Sequence, residues 1–322
     1  MGRPFDERAF HRWLARRLDG GPRALVGPGD DVAVVRLGGQ GLAVLTTDAL
    51  AEPSHFRRAS DPRAVGACAA GVSLSDLASK GAEPIAGLLD LLLPADTPAA
   101  WARAVVEGAE RASALHGAHI VGGDTKAAAG RAIVSTFLGR VATPTVPRRS
   151  GARPGDALVV TGTTGRGGAA ALALRSSKPS RRALDAMLRV EPRVEEGRRL
   201  APFAHAMIDT SDGLADAARL VAAASRARLI LDDDRIPWAT GLERLEPRRR
   251  REVGFYGGDY ELLAAVLPAT VPRAITAVNG VGGALTVVGE VRAGSGAWIW
   301  TGHDRPAPLP SAGWDPFRPR AP

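Results

Sequence analysis

Carboxylates recur along this chain in one local setting, at the end of an apolar run and beside Gly, Ser or Thr. They are Asp30 and Asp31 in GPGDDVAVV, Asp48 in LAVLTTDAL, Asp124 in HIVGGDT, Asp209 and Asp212 in MIDTSDG, and Asp259 and Glu261 in YGGDYELL. Asp76, in VSLSDLAS, falls instead within a small-residue helix. Strand ends and the turns after them are where α/β proteins build sites. Singly, each acid has an ordinary explanation, because Asp and Gly form turns and Ser-Asp caps helices. Together they crowd like charges at chain reversals with no matching set of nearby lysines, and each opposes ionisation of the next. A cation would cancel that repulsion. Oxygen-only ligands select Mg²⁺ or Mn²⁺, and no His or Cys cluster points to zinc. Metal plus phosphate is therefore the coherent way to hold the set ionised.

The stretch MIDTSDGLAD places Asp209, Asp212 and Asp216 close together. Asp216 falls about one turn into a helix, where negative charge suits the N-terminal dipole, so no catalytic role is assigned to it. Phosphate chemistry prompts a search for a glycine-rich cradle. No G-x-x-x-x-G-K-[ST] occurs, nor a strand lysine with H-R-D. GRGGAA (Gly165, Gly167, Ala170) fits a dinucleotide fingerprint, but the acid expected about twenty residues on, at a second strand end, is missing. Asp185 lies in RRALDAMLRV, which reads as helix.

The elements that must position these acids alternate in type. A helix opens the chain, with Phe10, Trp13, Leu14 and Leu18 at helical spacing. Strands follow at DVAVVRL and LAVLTTDAL, a helix from about Pro62 to Lys80, a strand at IAGLLDLLL, a helix from about Pro98 to Leu115, and strands at AHIVGGD and AIVSTFLGRV. Residues 143–156, TPTVPRRSGARPGD, lose apolar periodicity and read as a linker. Beyond it come the strand ALVVTG, the helices GGAAALALR and SDGLADAARLVAAAS, and the strands RLILDDD, YELLAAVLP, LTVVGEV and AWIWTG. The pattern is mixed α/β (α+β), and 322 residues suit two domains, 1–142 and 150–322.

Composition narrows the class further. No run of 18 apolar residues exists and the N-terminus has no apolar h-region, so neither a membrane span nor a secretory signal is expected, and a cytoplasmic location is. The sole cysteine, Cys68, excludes an internal disulfide and reads as a small buried thiol. The net charge is +8, but only Lys80, Lys126 and Lys178 are lysines among 42 basic residues. The arginine clusters are dispersed and lack interleaved aromatics, so no nucleic-acid partner is expected.

In order, GPGDDVAVV, TTDALAEPSHF, VSLSDLASKGAEP, VGGDT, RSGARPGD, MIDTSDGL and GGDYELL resemble the successive signatures of the thiamine-monophosphate kinase family, within the aminoimidazole-ribonucleotide-synthetase-like ATP-binding superfamily. The resemblance spans about residues 25 to 315. It implies a two-domain fold whose N-terminal sheet pairs with a second subunit in a homodimer, with a C-terminal α/β domain completing the site. It also implies ATP-dependent phosphorylation of thiamine monophosphate to thiamine diphosphate, assisted by several Mg²⁺ ions, with no covalent protein nucleophile. By resemblance the metal ligands are Asp31, Thr46, Thr47, Asp48, Asp76, Asp124, Asp209 and Asp212, with Asp30 a neighbour. Gly123, Asp124, Arg149 and Ser211 match nucleotide contacts; His55, Glu261 and Trp314 match substrate contacts. Three departures stand out. GGDYELL is one acid shorter than the usual G-G-E-D-Y-E-L, the helix WARAVVEGAERAS offers no tyrosine to adenine and leaves that wall to Trp101 or Val106, and Lys126 with an alanine run follows GGDT. Rival readings are a non-catalytic or differently specific ATP-binding paralogue and, from GRGGAA, a dinucleotide-binding enzyme.

Overall fold

Alternation of apolar and polar residues builds a first sheet that is covered on one side only. The computed structural model describes residues 5–18, 20–38, 41–142, 145–174, 180–302 and 305–310. After helix α1 (Glu7–Arg17), strands β1 (Ala24–Val26), β2 (Ala33–Arg36), β3 (Leu42–Ala51), β4 (Glu83–Leu93), β5 (His119–Gly122), β6 (Thr125–Ala127) and β7 (Ala132–Val141) form it. Their order is β1-β2-β3-β7-β4-β5, with β6 also on β4. Thr47 faces Thr136, which in turn faces Leu88, and Leu45 and Leu88 stay exposed on that row of strands. The opposite face carries Val44, Ile133, Phe137 and Leu89 into the core beneath α2 (Pro62–Ala78) and α3 (Ala99–Ala114).

Helix α2 is apolar and small on nearly all sides, the pattern of a helix with no solvent face. Asp61 caps it by accepting from Arg63 N, and Pro62 suits its first turn. A Cβ on Gly66 would overlap the Val105 carbonyl, and one on Gly108 the Arg63 carbonyl, so glycine is what allows α2 and α3 to approach so closely.

The second half contributes β8 (Ala157–Thr161), β9 (Ala204–Asp209), β10 (Arg228–Asp232), β11 (Leu262–Val266), β12 (Leu285–Arg292), β13 (Gly296–Trp300) and β14 (Ala307–Pro308), in the order β14-β13-β10-β12-β8-β11-β9. Its helices are α4 (Arg166–Ala173), α5 (Arg181–Met187), α6 (Val194–Leu200), α7 (Leu214–Ser225), α8 (Pro247–Gly254) and α9 (Val271–Asn279). Among the described strands of this second sheet, β10 and β13 are the one parallel pair. Both faces of this sheet are buried: Val159, Met207, Leu262 and Ala264 join α2 in one core, while Leu158, Val160, Ile208 and Leu263 join α7 in another. This explains why β11 reads as the unbroken apolar run LLAAV rather than an alternating one. The layers are thus first sheet, α2 with its neighbours, second sheet, α7, and α2 touches both sheets.

The opening helix departs from expectation in one respect. Phe10 and Trp13 lie on it as predicted, yet they stack on each other at 5.7 Å and remain 41% and 51% exposed. Among the described residues no helix is long and apolar enough to cross a membrane.

Candidate active site

Strand β3 points alternate residues to opposite faces. Thr46 and Asp48 therefore turn toward α2, and Thr47 turns to the exposed face, where its hydroxyl meets that of Thr136 at 2.9 Å. Thr46 Oγ1 donates to Asp76 Oδ2 at 2.5 Å, and Ser73 Oγ donates to Asp48 Oδ2 at 3.2 Å. From α2, Ser75 Oγ reaches across to Asp209 Oδ2 at 2.8 Å, while Ser211 Oγ holds Asp209 Oδ1 at 2.9 Å. The helix thereby carries one acid of its own and orients acids from both sheets. Asp31, Asp76 and Asp209 bring carboxylate oxygens within 4.8 Å of one another.

Asp76 and Asp209, but not Asp31, border a cavity of about 250 Å³ lined by Asp48, Ser54, His55, Cys68, Asp76, Asp209, Ser211, Asp212, Tyr256 and Tyr260 among others. Among the described residues no lysine or arginine lines it. Burial, then the charges of Asp48, Asp209 and Asp31, pushes the Asp76 carboxyl well above the usual carboxylate range. Burial first and Asp31 second bring Asp209 up to about 6. Asp48 is raised chiefly by burial. Such acids resist ionisation until a cation enters, and an all-oxygen donor set in that state fits Mg²⁺ or Mn²⁺. Burial also lowers the imidazole of His55, whose Nδ1 accepts from Ala51 N at 3.1 Å. The Cys68 thiol is pushed up to about 12 by burial and then by Asp48, so it is an inert part of the wall.

The other side of the cluster is different. Lys80 Nζ lies 2.8 Å from Asp30 Oδ1 and 2.8 Å from Asp31 Oδ2. Arg149 grips Asp31 Oδ1 with Nε at 2.9 Å and Nη2 at 2.6 Å, and its backbone N–H donates to Asp30 Oδ2. Burial disfavours the charge on Asp31, but Lys80 and then Arg149 outweigh it and bring the carboxyl down to about 2. The expectation that no lysine accompanies the acids is thus overturned. Lys80 lies four residues beyond Asp76, and the run Ser73, Asp76, Ser79 or Lys80 recurs at helical spacing, which is the signal that marks these groups as one face.

Several expected residues stand apart from the cavity. Asp124 sits between β5 and β6, where its carboxylate pairs with Lys126 at 2.9 Å and its backbone N–H donates to Asp90. Gly123 precedes it with a backbone packed against Leu89 too closely for a Cβ. Glu261 is 2% exposed and held bidentately by Arg193, with Nε at 2.7 Å and Nη2 at 2.6 Å. Its backbone instead fixes the site: Thr210, between Asp209 and Ser211, exchanges hydrogen bonds with Glu261. Trp101 is covered by Arg131 at 4.5 Å and Phe56 at 6.4 Å, Val106 is exposed on α3, and neither lines the cavity. Trp314 lies outside the described residues. Asp216 is buried in the first turn of α7 and pairs with Arg219 at 3.3 Å.

The glycine-rich turn at Gly165–Gly168 already holds an anion. Asp259 accepts from Gly165 N at 2.7 Å and Gly167 N at 2.9 Å, occupying the donors a pyrophosphate would use. Gly167 must be glycine because a Cβ would overlap the Gly257 carbonyl. The structure therefore gives GRGGAA a packing role and removes the ground for a dinucleotide site there.

Residues 29–141 match the family model of AIR synthase related protein, N-terminal domain, and residues 153–300 that of the C-terminal domain. The thiamine-monophosphate kinase of Halobacterium salinarum is 38% identical, the alignment covering 82% of this chain and 88% of the relative. That of Escherichia coli K12 is 31% identical over 96% of each. A solved structure described as AaThiL complexed with AMPPCP and TMP superposes with a TM-score of 0.80 at 26% identity, covering 96% of each chain.

Proposed function

Since the chain belongs to the thiamine-monophosphate kinase family of AIR synthase related proteins and is a kinase, we propose that it phosphorylates thiamine monophosphate with ATP, giving thiamine diphosphate and ADP. The observation that carries the reading is the cavity wall: Asp48, Asp76, Asp209 and Asp212 converge on one space that, among the described residues, no lysine or arginine lines. A phosphate oxygen of thiamine monophosphate attacks the γ-phosphorus, a new P–O–P link forms, and the bond to the β-phosphate oxygen breaks to release ADP. When bound, Mg²⁺ offsets the repulsion between two anionic reactants and aligns them in line. Asp48, Asp76, Asp209 and Asp212 would hold it, with Thr46, Ser73, Ser75 and Ser211 fixing the rotamers of three of them. His55 and Ser54 would face the substrate from the loop after β3, and Arg149, a planar donor held on Asp31, suits the ATP phosphates.

This reading keeps two units, 1–142 and 150–322, and a homodimer through the first sheet. Support for the latter is the bare row with Leu45 and Leu88, apolar side chains on the face that no helix covers. Thr47 lies on that same face, and Asp124 on the edge beyond it.

The test is incubation with ATP, Mg²⁺ and thiamine monophosphate, with thiamine diphosphate sought by mass. Product supports the proposal. Intact ATP binding without product would leave a non-catalytic or differently specific paralogue.

A further inference from the structure

A carboxylate offers about four lone-pair positions, two on each oxygen. On Asp31 all four are taken. Arg149 Nε and Nη2 reach Oδ1 at 2.9 and 2.6 Å, and Lys80 Nζ and Ser79 Oγ reach Oδ2, each at 2.8 Å. A metal ion could bind Asp31 only after one of these donors left. Arg149 is anchored by both guanidinium hydrogen bonds and by its backbone N–H on Asp30 Oδ2, and Lys80 is enclosed altogether. Its side chain is 0% exposed, and its ammonium is spent on Asp30 Oδ1, Asp31 Oδ2 and the Met207 carbonyl at 3.2 Å. Withdrawing it from those partners would leave an unpaired charge in the interior.

The Met207 contact matters because Met207 belongs to β9, the strand that ends at Asp209. Lys80 therefore ties the Asp30–Asp31 turn of the first half to the second sheet at one point. A divalent ion shared between the two halves would make the same kind of link.

Resting on the reading of the cavity as a metal-assisted phosphoryl-transfer site, we propose that Lys80 is a resident cation standing in for a metal ion at the Asp30–Asp31 turn. Divalent ions then belong to Asp48, Asp76, Asp209 and Asp212. Asp31 is a positioning residue that holds Lys80 and Arg149, not the metal ligand that family resemblance makes it. An ammonium there carries one charge, brings no exchangeable waters and stays in place when Mg²⁺ is scarce. The turn remains assembled before any metal arrives.

The test counts Mn²⁺ ions bound to the full-length protein by the loss of the free-ion electron paramagnetic resonance signal, and follows thermal unfolding in EDTA. In Lys80→Met the count is expected to rise by one above the native chain, and Mn²⁺ is expected to recover a melting temperature that EDTA lowers. The double variant Lys80→Met/Asp31→Asn is expected to return to the native count. Asp31→Asn alone is expected to keep the native count, and it decides the matter if the lysine variant fails to fold. Loss of one ion in Asp31→Asn, or equal counts in the native chain and Lys80→Met, would overturn the assignment of Lys80 while native ATP binding left the phosphoryl-transfer reading standing. A native chain that bound neither Mn²⁺ nor ATP would overturn that reading and this assignment with it.

Discussion

Asp31 and Asp76 have oxygens within 4.8 Å of each other, yet they are opposite cases. Asp31 is flanked by Lys80 and Arg149 and held down to about 2, whereas Asp76 meets only Thr46 and other acids and is pushed up. The same contrast recurs away from the cavity, where Arg193 compensates Glu261 as fully as Lys80 compensates Asp31. Density of carboxylates therefore does not define a cation site. What defines it is which of them the protein leaves uncompensated, and that is decided by basic atoms within about 3 Å.

The largest expected effect tests the uncompensated side. Asp76→Asn should lower kcat by about 10³-fold, since a charge opposing the phosphates' own repulsion is lost, while the melting temperature in EDTA does not fall. A drop in both would make Asp76 a structural acid like Asp31. Next in size, Arg193→Met should destabilise the chain by about 3 kcal/mol in urea unfolding, because Glu261 is left buried and unpaired. Retained stability would mean that compensation counts for little even in the interior.

The two sides should also titrate with opposite signs. Asp209 at about 6 lies above its ordinary 3.8, so the folded chain holds the extra proton and metal-free stability rises as pH falls from about 7 to about 4, on the order of 2 kcal/mol. Asp31 at about 2 lies below 3.8, so its contribution is complete above about pH 4 and disappears as pH falls through about 2. Unfolding measured across pH in EDTA and in Mg²⁺ checks this, and saturating Mg²⁺ should flatten the first slope and leave the second. Stability in EDTA that instead climbs toward neutral pH would break the comparison. The smallest effect sharpens it: Ser79→Ala removes one of four donors to Asp31 and should cost about 1 kcal/mol without changing Mn²⁺ affinity.

Much of this arrangement was legible in the residues. Acids that close apolar runs flag Asp31, Asp48, Asp209 and Asp212, and the structure gathers Asp48, Asp209 and Asp212 with Asp76 and His55 around the cavity and sets Asp31 beside Asp76 and Asp209, although Asp48 lies within β3 and not at its end. Compensation was not legible, because Lys80 is separated from Asp30 and Asp31 by about fifty positions and only the packing of α2 brings them together. Thr47 is expected beside Thr46 and Asp48 as a metal ligand, and the structure turns its side chain to the opposite face, because successive residues of a strand alternate. Asp259 reads as a second strand-end acid, and only the structure reveals that two backbone amides of the glycine turn consume it. The double-sided burial of the second sheet also escapes a periodicity argument, since continuous apolar runs do not say which side a partner covers.

Helix α2 has one more consequence, for how the protein is made. Ser75, Ala78 and Lys80 meet Asp209, Gly197 and Met207 of the second half, so this side of the helix has nothing to pack on until the ribosome has added more than a hundred further residues. During that interval the nascent chain carries an apolar, small-residue surface, and Lys80 has Asp30 and Asp31 to pair with but lacks the Met207 carbonyl. Truncation after the first sheet should yield a sticky fragment, and supplying residues 150–322 as a separate chain should rescue its solubility by covering that surface.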